Sequence, residues 1–246
     1  MKYTSWTGGK QLQTQPFEAA IFDLDGVIVD TAKFHYKAWQ RLAGELGFAF
    51  SESDNEQLKG VSRMESLDLL LRAGGITEVT PERREAMASR KNEWYTEYLA
   101  TLTPADVLPG VTDFLRQLHS CGIKTGIASA SKNAPLILEK VNIRPLFDAV
   151  VDGNTIVRAK PDPEVFLRAA GLLGVAPAAC FVFEDAAAGV EGAIRAGMRV
   201  AGIGDGRLLV RAHLTITSFE QLNPVYLLTH IGVTGHTGRG DRTDGQ

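Results

Sequence analysis

Between residues 111 and 203 the chain alternates short apolar runs with longer segments of helical character. That alternation restricts the fold more than any other property of the sequence. Strands and helices that follow one another in this way build a parallel sheet covered by helices on both faces. The spacing predicts helices over 111–119 and 135–140, a helix opened by Asp162-Pro163 and running to Leu173, and a helix over 189–196. It predicts strands over 124–128, 149–151, 180–183 and 199–203. An earlier apolar run, Ala19-Ala20-Ile21, supplies a further strand and stops at Phe22-Asp23-Leu24-Asp25-Gly26-Val27. The expected class is therefore α/β, with a Rossmann-like parallel sheet as its core.

The stretch between the first strand and the rest of the sheet reads differently. Phe34, Ala38, Trp39, Leu42 and Leu46 recur at helical spacing up to Gly47, and Leu67, Leu70 and Leu71 mark a second helix ended by Gly74-Gly75. Thr80-Pro81, an N-cap residue with proline at the first helical position, opens a third helix through Trp94, Tyr95 and Tyr98. The region 33–97 is thus expected to be a small helical cap domain inserted into a core made of 18–32 and 98–224. Residues 1–17 carry no apolar segment of the kind a signal peptide needs and are expected to be a flexible leader. From residue 225 the sequence turns to Gly, Thr, Arg and Asp, and a disordered tail over 225–246 is expected.

Composition narrows the range of partners. A formal net charge of -3 with 22% charged residues gives no global basic field, which argues against nucleic acid or an anionic membrane as the partner. No stretch is apolar for long enough to cross a bilayer. Cys121 and Cys180 lie in different elements without metal-ligand spacing, as reduced thiols of a cytosolic protein do. The expectation is a cytoplasmic protein, a monomer, acting on small molecules.

In open parallel sheets ligands bind beyond the carboxyl ends of the strands, so the residues following each strand carry the functional argument. The first strand delivers Asp23 and Asp25, two like charges that a cation or a shared proton must compensate. The strand over 124–128 delivers Ser129-Ala130-Ser131-Lys132-Asn133, a run of donors suited to an oxyanion. Lys160 precedes the next helix, and Glu184-Asp185 follows the strand over 180–183. Taken singly, Ser129 is an ordinary turn serine, Lys160 a solvated lysine and Glu184-Asp185 an acidic helix start. Together, each at a strand end, they are the parts needed for phosphoryl transfer through an aspartyl phosphate, with Mg²⁺ as the cation that hard oxygen ligands favour.

These residues, in this order, resemble the four motifs of the haloacid dehalogenase superfamily. Asn55-Glu56-Gln57-Leu58-Lys59-Gly60-Val61-Ser62-Arg63, Arg90-Lys91-Asn92, Pro104-Ala105-Asp106-Val107 and the 128–133 stretch further resemble the β-phosphoglucomutase branch of its small-cap subgroup. The resemblance implies interconversion of β-D-glucose 1-phosphate and glucose 6-phosphate through β-glucose 1,6-bisphosphate. It makes Asp23 the nucleophile and Asp25 the general acid and base. Mg²⁺ is then held by the side chains of Asp23, Glu184 and Asp185 and the backbone carbonyl of Asp25, while Ser129 and Lys160 bind the transferring phosphate.

By the same resemblance Arg63, with Ser131, Lys132 and Asn133, takes the second phosphate, and Thr31, His35 and Lys91 form a hydrogen-bonded group near Asp25. Trp39, Gly60, Val61, Ser66, Asn92 and Ala130 then surround the sugar. Read from the residues alone, His35 and Trp39 at i and i+4 also suit local packing, and Lys91 also suits a solvated helix. A sugar-phosphate phosphatase with the same core is the competing expectation, and a non-catalytic sugar-phosphate binding module a weaker one. Two stretches stand apart: 152–158 differs from what the resemblance leads one to expect before Lys160, and Gly202-Ile203-Gly204-Asp205-Gly206 lacks dinucleotide-loop spacing and reads as an ordinary loop after a strand.

Overall fold

In the computed structural model, which describes residues 17–220, 222–225 and 227, the apolar runs become a six-stranded sheet. The strands are β1 (Ala19–Phe22), β2 (Lys124–Ala128), β3 (Ala149–Val151), β4 (Cys180–Glu184), β5 (Arg199–Ile203) and β6 (Leu214–Ile216), in the order β3-β2-β1-β4-β5-β6. Every pairing is parallel. Strand β1 is central, and the chain order reverses across it, which is where open sheets form a ligand crevice. Its register sets Phe22 beside Ile127 on one side and Phe183 on the other. Asp23, Ala128 and Glu184 therefore emerge at one level.

Period-two alternation assigns the strand residues to two layers. Ala19, Ile21, Val182 and Val200 face Phe166, Ala169 and Val190 of α7 (Glu164–Leu173) and α8 (Ala187–Arg195), labels that continue the helix order given below. Ala20, Phe22, Phe181 and Phe183 face Phe114, Leu115 and Leu118. Phe22 and Phe183 stack at 4.7 Å and 7°, with Phe114 packed edge-on against both. Each such ring, fully buried, contributes about 1.5–3 kcal/mol of burial free energy.

The remaining helices are α1 (Ala32–Glu45), α2 (Glu52–Glu56), α3 (Arg63–Ala73), α4 (Pro81–Leu99), α5 (Val111–Ser120) and α6 (Ala134–Lys140). The first five lie between β1 and β2 in sequence, and α1 packs on α4. Their ends follow the local chemistry. Thr80 and Ser62 accept backbone N–H groups of Arg83 and Glu65 through their side chains, and α1 stops where Gly47 takes a φ of 88°.

Besides three 3-10 turns, at Pro104–Asp106, Arg144–Leu146 and Pro177–Ala179, a helix and a strand are additional to the expected set. Helix α2 is too short to show an apolar period and is specified by a capping box between Ser51 and Asp54. Strand β6 is a three-residue edge strand. Phe17, at the end of the expected leader, is buried against Phe181 at 5.4 Å, and Leu227, within the expected tail, is buried in the same layer. Of the expected leader and tail, residues 1–16, 226 and 228–246 lie outside the described residues. Among the described residues no helix is long and apolar enough to cross a membrane.

Candidate active site

Strand β1 ends one residue before Asp23, and the chain then folds into a tight turn in which Ile28 N–H donates to the Leu24 carbonyl at 2.9 Å and Gly26 N–H to Val29 at 2.9 Å. Gly26 has a φ of 87°, and a Cβ there would collide with the Asp185 carboxylate. Glycine is required by conformation and by space together. The turn also separates the two aspartates, which a continued strand would have aimed the same way.

Asp23 faces the sheet side. Its Oδ1 accepts from Lys160 Nζ at 2.5 Å, and the same ammonium donates to Glu184 Oε2 at 2.8 Å. Lys160 and Glu184 are fully buried. Burial alone would strip the proton from Lys160, but Asp23 and Glu184 outweigh it and hold the ammonium charged, above its ordinary value. Burial raises Asp23, and the neighbouring charges of Glu184 and Asp185 raise it further against the pull of Lys160. Asp185 is pushed up to about 7 by burial and by Glu184. The cluster thus holds more negative charge than its lysine neutralises.

Asp23, Glu184 and Asp185 each offer a carboxylate oxygen, all within 4.8 Å of one another. Hard oxygen donors with surplus negative charge fit a divalent cation such as Mg²⁺. The Asp25 carboxylate is directed elsewhere, which leaves its backbone carbonyl as the group it could add. Lys59, from the loop before α3, approaches Asp185 at 3.8 Å and pairs with Glu56 at 2.9 Å.

Asp25 faces the helices. Its Oδ1 accepts from Thr31 Oγ1 at 2.5 Å and from the Tyr95 hydroxyl at 3.2 Å, with His35 Nε2 at 3.6 Å. Burial pushes this carboxyl up, yet His35, Thr31 and Tyr95 together outweigh it and hold Asp25 below its ordinary value. His35 Nδ1 in turn meets Lys91 Nζ at 2.9 Å. Lys91 is buried over the rings of Trp39 at 4.5 Å and Tyr95 at 4.8 Å, and burial with nearby Arg63 lowers it to about 7. Tyr95 was legible only as a core aromatic. Its one hint was position, a helical turn beyond Lys91.

The anion loop follows β2. Ser131 N–H donates to Ser129 Oγ at 3.0 Å and Asn133 N–H to Ser131 Oγ at 3.2 Å, and Asn133 serves as the N-cap residue of α6. Asn133 Nδ2 also donates to Asn92 Oδ1 of α4 at 3.0 Å, so the loop touches the helical side directly. Gly60 brings the 58–62 loop down onto Ala186, where a Cβ would stand 3.1 Å from the alanine Cβ. Ser66 is buried and donates to the Leu58 carbonyl at 3.4 Å, tying that loop to α3.

These two sides enclose a cavity of about 340 Å³. Asp23, Asp25 and Asp185 open into it from the sheet side, with Ser129, Ala130, Ser131, Lys132 and Asn133. From the helical side His35, Trp39, Gly60, Val61, Arg63, Ser66, Lys91 and Asn92 line it. Thr31, Lys160 and Glu184 are fully buried at the edge of this lining, Thr31 bonded to Asp25 and Lys160 to both Asp23 and Glu184. Glu85 and Lys59 also line the cavity and were not singled out from sequence.

A phosphoryl-transfer core of this arrangement has a counterpart among known families. The family model for haloacid dehalogenase-like hydrolases matches residues 17–197. The chain belongs to that family. Among haloacid dehalogenase-like relatives, the β-phosphoglucomutase of Bacillus subtilis (strain 168) is 44% identical over 206 residues, covering 83% of this chain and 91% of that protein. A phosphorylated carbohydrates phosphatase of Thermotoga maritima is 31% identical over 202 residues, covering 79% of this chain and 91% of its own. The crystal structure of a β-phosphoglucomutase from Clostridium difficile superposes with a TM-score of 0.82 at 42% identity, covering 86% of this chain and 95% of that one.

Proposed function

We propose that this chain is a Mg²⁺-dependent β-phosphoglucomutase that interconverts β-D-glucose 1-phosphate and glucose 6-phosphate through an aspartyl phosphate and β-glucose 1,6-bisphosphate, as a cytoplasmic monomer. The observation that carries the reading is the division of the two aspartates. Asp23 sits against Lys160 beside the acidic cluster, while Asp25 is held by Thr31, Tyr95 and His35 from the helical side. This division supports Asp23 as nucleophile and Asp25 as proton carrier. The similarity to β-phosphoglucomutases over both the sheet and the helical segment supports the same conclusion.

In this mechanism Asp23 attacks phosphorus in line with the leaving oxygen. Lys160 and Ser129 hold the transferring phosphoryl oxygens. Asp23, Glu184, Asp185 and the Asp25 backbone carbonyl would hold a divalent cation, which would supply positive charge to the transferring group. Asp25 gives its proton to the departing sugar oxygen and later takes one from the attacking hydroxyl. Its lowered pKa in the substrate-free cavity favours the ionised form, and the approach of a phosphorylated sugar, by adding negative charge, favours the proton it needs as an acid.

The helical side decides the acceptor. Arg63 opens α3 at the cavity, opposite Lys132 and Asn133, and offers a bidentate fork to a second phosphate. A bisphosphorylated sugar held between these two anion sites can present either end to Asp23. We further propose that the segment carrying α1 to α4 acts as a cap, because the contacts of Asp25 with Thr31, His35 and Tyr95 form only when it lies on the sheet end. Water is then excluded at the same moment that the acid and base is positioned.

The test supplies β-glucose 1-phosphate, Mg²⁺ and a catalytic amount of the bisphosphate, and follows glucose 6-phosphate and free phosphate together. Glucose 6-phosphate should form well ahead of phosphate. Phosphate release that equals or exceeds sugar isomerisation would replace the proposal with the phosphatase reading, which relatives such as the Thermotoga enzyme make the competing one.

A further inference from the structure

The segment over 152–158, which stood apart in the sequence, forms with Ala159 the wall of the cavity between the anion loop and Lys160. At its start Gly153 N–H donates to the Ser131 carbonyl at 3.2 Å and Asn154 Nδ2 to the Lys132 carbonyl at 2.9 Å. A Cβ on Gly153 would run into the Ala130 carbonyl, so the wall touches the anion loop backbone to backbone. Asp152, itself buried, accepts the N–H of Asn154 at 2.8 Å and fixes this corner.

At its far end the wall is held differently. The N–H groups of Val157 and Arg158 each donate to a separate oxygen of Glu164, both at 3.0 Å, and Arg158 Nε adds a third contact at 3.3 Å. Apolar packing holds this end only in part: Ile156 rests against the layer under the sheet, while Val157 is 90% exposed although it lines the cavity with Ile156 and Ala159. Glu164 opens α7, whose next residues Val165 and Phe166 are fully buried in the layer under the sheet. Its carboxylate therefore joins a rigid helix to the loop end, where Arg158 Nε also approaches Asp162 Oδ2 at 3.3 Å. Two backbone donors in succession also hold the carboxyl below its ordinary range. Lys160 follows Arg158 by two residues, so displacement of the loop end reaches the Asp23 contact at once.

The geometry points to Glu164 as a positioning residue that clamps the 153–159 wall against the anion loop, fixing Lys160 beside Asp23 and keeping water from the phosphorylated nucleophile. The inference rests on the mutase reading above. It is tested with Glu164→Ala and Glu164→Gln, the second retaining the size of the side chain but replacing one acceptor oxygen with a donor. Phosphoenzyme formed from acetyl phosphate is chased with β-glucose 1-phosphate, and its partition between free phosphate and sugar is measured. Backbone amide exchange is followed in parallel.

Glu164→Ala should raise the phosphate released per turnover by about tenfold, the scale expected when a supporting contact away from the reacting atoms is lost. Glu164→Gln should fall between it and wild type, and KM for the sugar phosphate should rise more than kcat falls. Exchange should quicken at Val157 and Arg158 and stay unchanged in β1 and β4. An unchanged partition despite a loosened loop would overturn the inference. So would exchange that rises in β1 and β4 together with the loop, which marks general destabilisation instead. If wild-type enzyme itself sends its phosphoryl group mainly to water, the mutase reading fails, and slower exchange at Val157 and Arg158 in wild type than in Glu164→Ala would still support the clamp.

Discussion

The sheet side of the cavity holds its charges by direct pairing inside the protein, with Lys160 2.5 Å from Asp23 and 2.8 Å from Glu184. The helical side seats Lys91 against a histidine nitrogen and two aromatic faces, and leads Arg63 into the cavity. One side has its cation already matched to carboxylates, ready for one transferring group. The other side keeps positive charge facing the space where an anion arrives. On the proposed reading the difference separates two tasks: the sheet end would fix what chemistry occurs, and the helices to which acceptor it is directed.

The sharpest break in that comparison is Asp23→Asn, which should lower turnover by about 10⁴-fold or more, the scale of losing a catalytic nucleophile. Thermal unfolding should remain cooperative, and phosphoenzyme appearing at the wild-type rate would remove Asp23 from its role. Next, Asp25→Asn should cost about 10² to 10⁴-fold in the sugar-dependent steps while sparing phosphorylation by acetyl phosphate, whose leaving group needs no proton. A parallel loss with both donors would place Asp25 with the sheet side instead.

A smaller effect is expected at Arg63. Arg63→Ala should weaken use of the bisphosphate by about 1.5–3 kcal/mol, the range for a charged hydrogen bond, and leave hydrolysis of a small phosphate ester nearly unchanged. Equal losses in both assays would erase the distinction between the two sides.

The mildest test concerns stability. Burial holds Lys91 at about 7 against an ordinary value of 10.5, so between those pH values the unfolded chain binds the proton that the folded chain has released. Stability should therefore rise with pH across that window, and below it the cost of the buried charge is constant. Lys91→Met should flatten the slope, as read from urea midpoints at pH 7 and pH 9. An unchanged slope would mean that Lys91 stays charged throughout.

How much of this could be read beforehand depended on the range of each interaction. The strand ends were legible because a buried parallel strand is a continuous apolar run, and its terminus is marked wherever charge begins, as at Phe22-Asp23 and Phe183-Glu184. Helix α4 announced itself through Thr80-Pro81. Helix α2 and strand β6 did not, since five and three residues carry too little periodicity. Tyr95 was hidden for a different reason. A buried aromatic in a helix looks the same whether its hydroxyl is spare or bonded to Asp25, and the bond spans 70 positions of sequence. The parting of Asp23 from Asp25 was equally invisible, because it follows from a turn whose glycine is needed to clear Asp185, a residue far along the chain.

The stacked rings of Phe22 and Phe183 bear on what happens above them. They lie directly beneath Asp23 and Glu184, on the neighbouring strands that carry those like charges, and aromatic stacking inside a close-packed layer resists the spreading that repulsion would drive. A phosphoryl group added to Asp23 enlarges the site by several atoms. On the proposed reading, that firm floor would leave an added phosphoryl group to be accommodated on the cavity side rather than within the sheet.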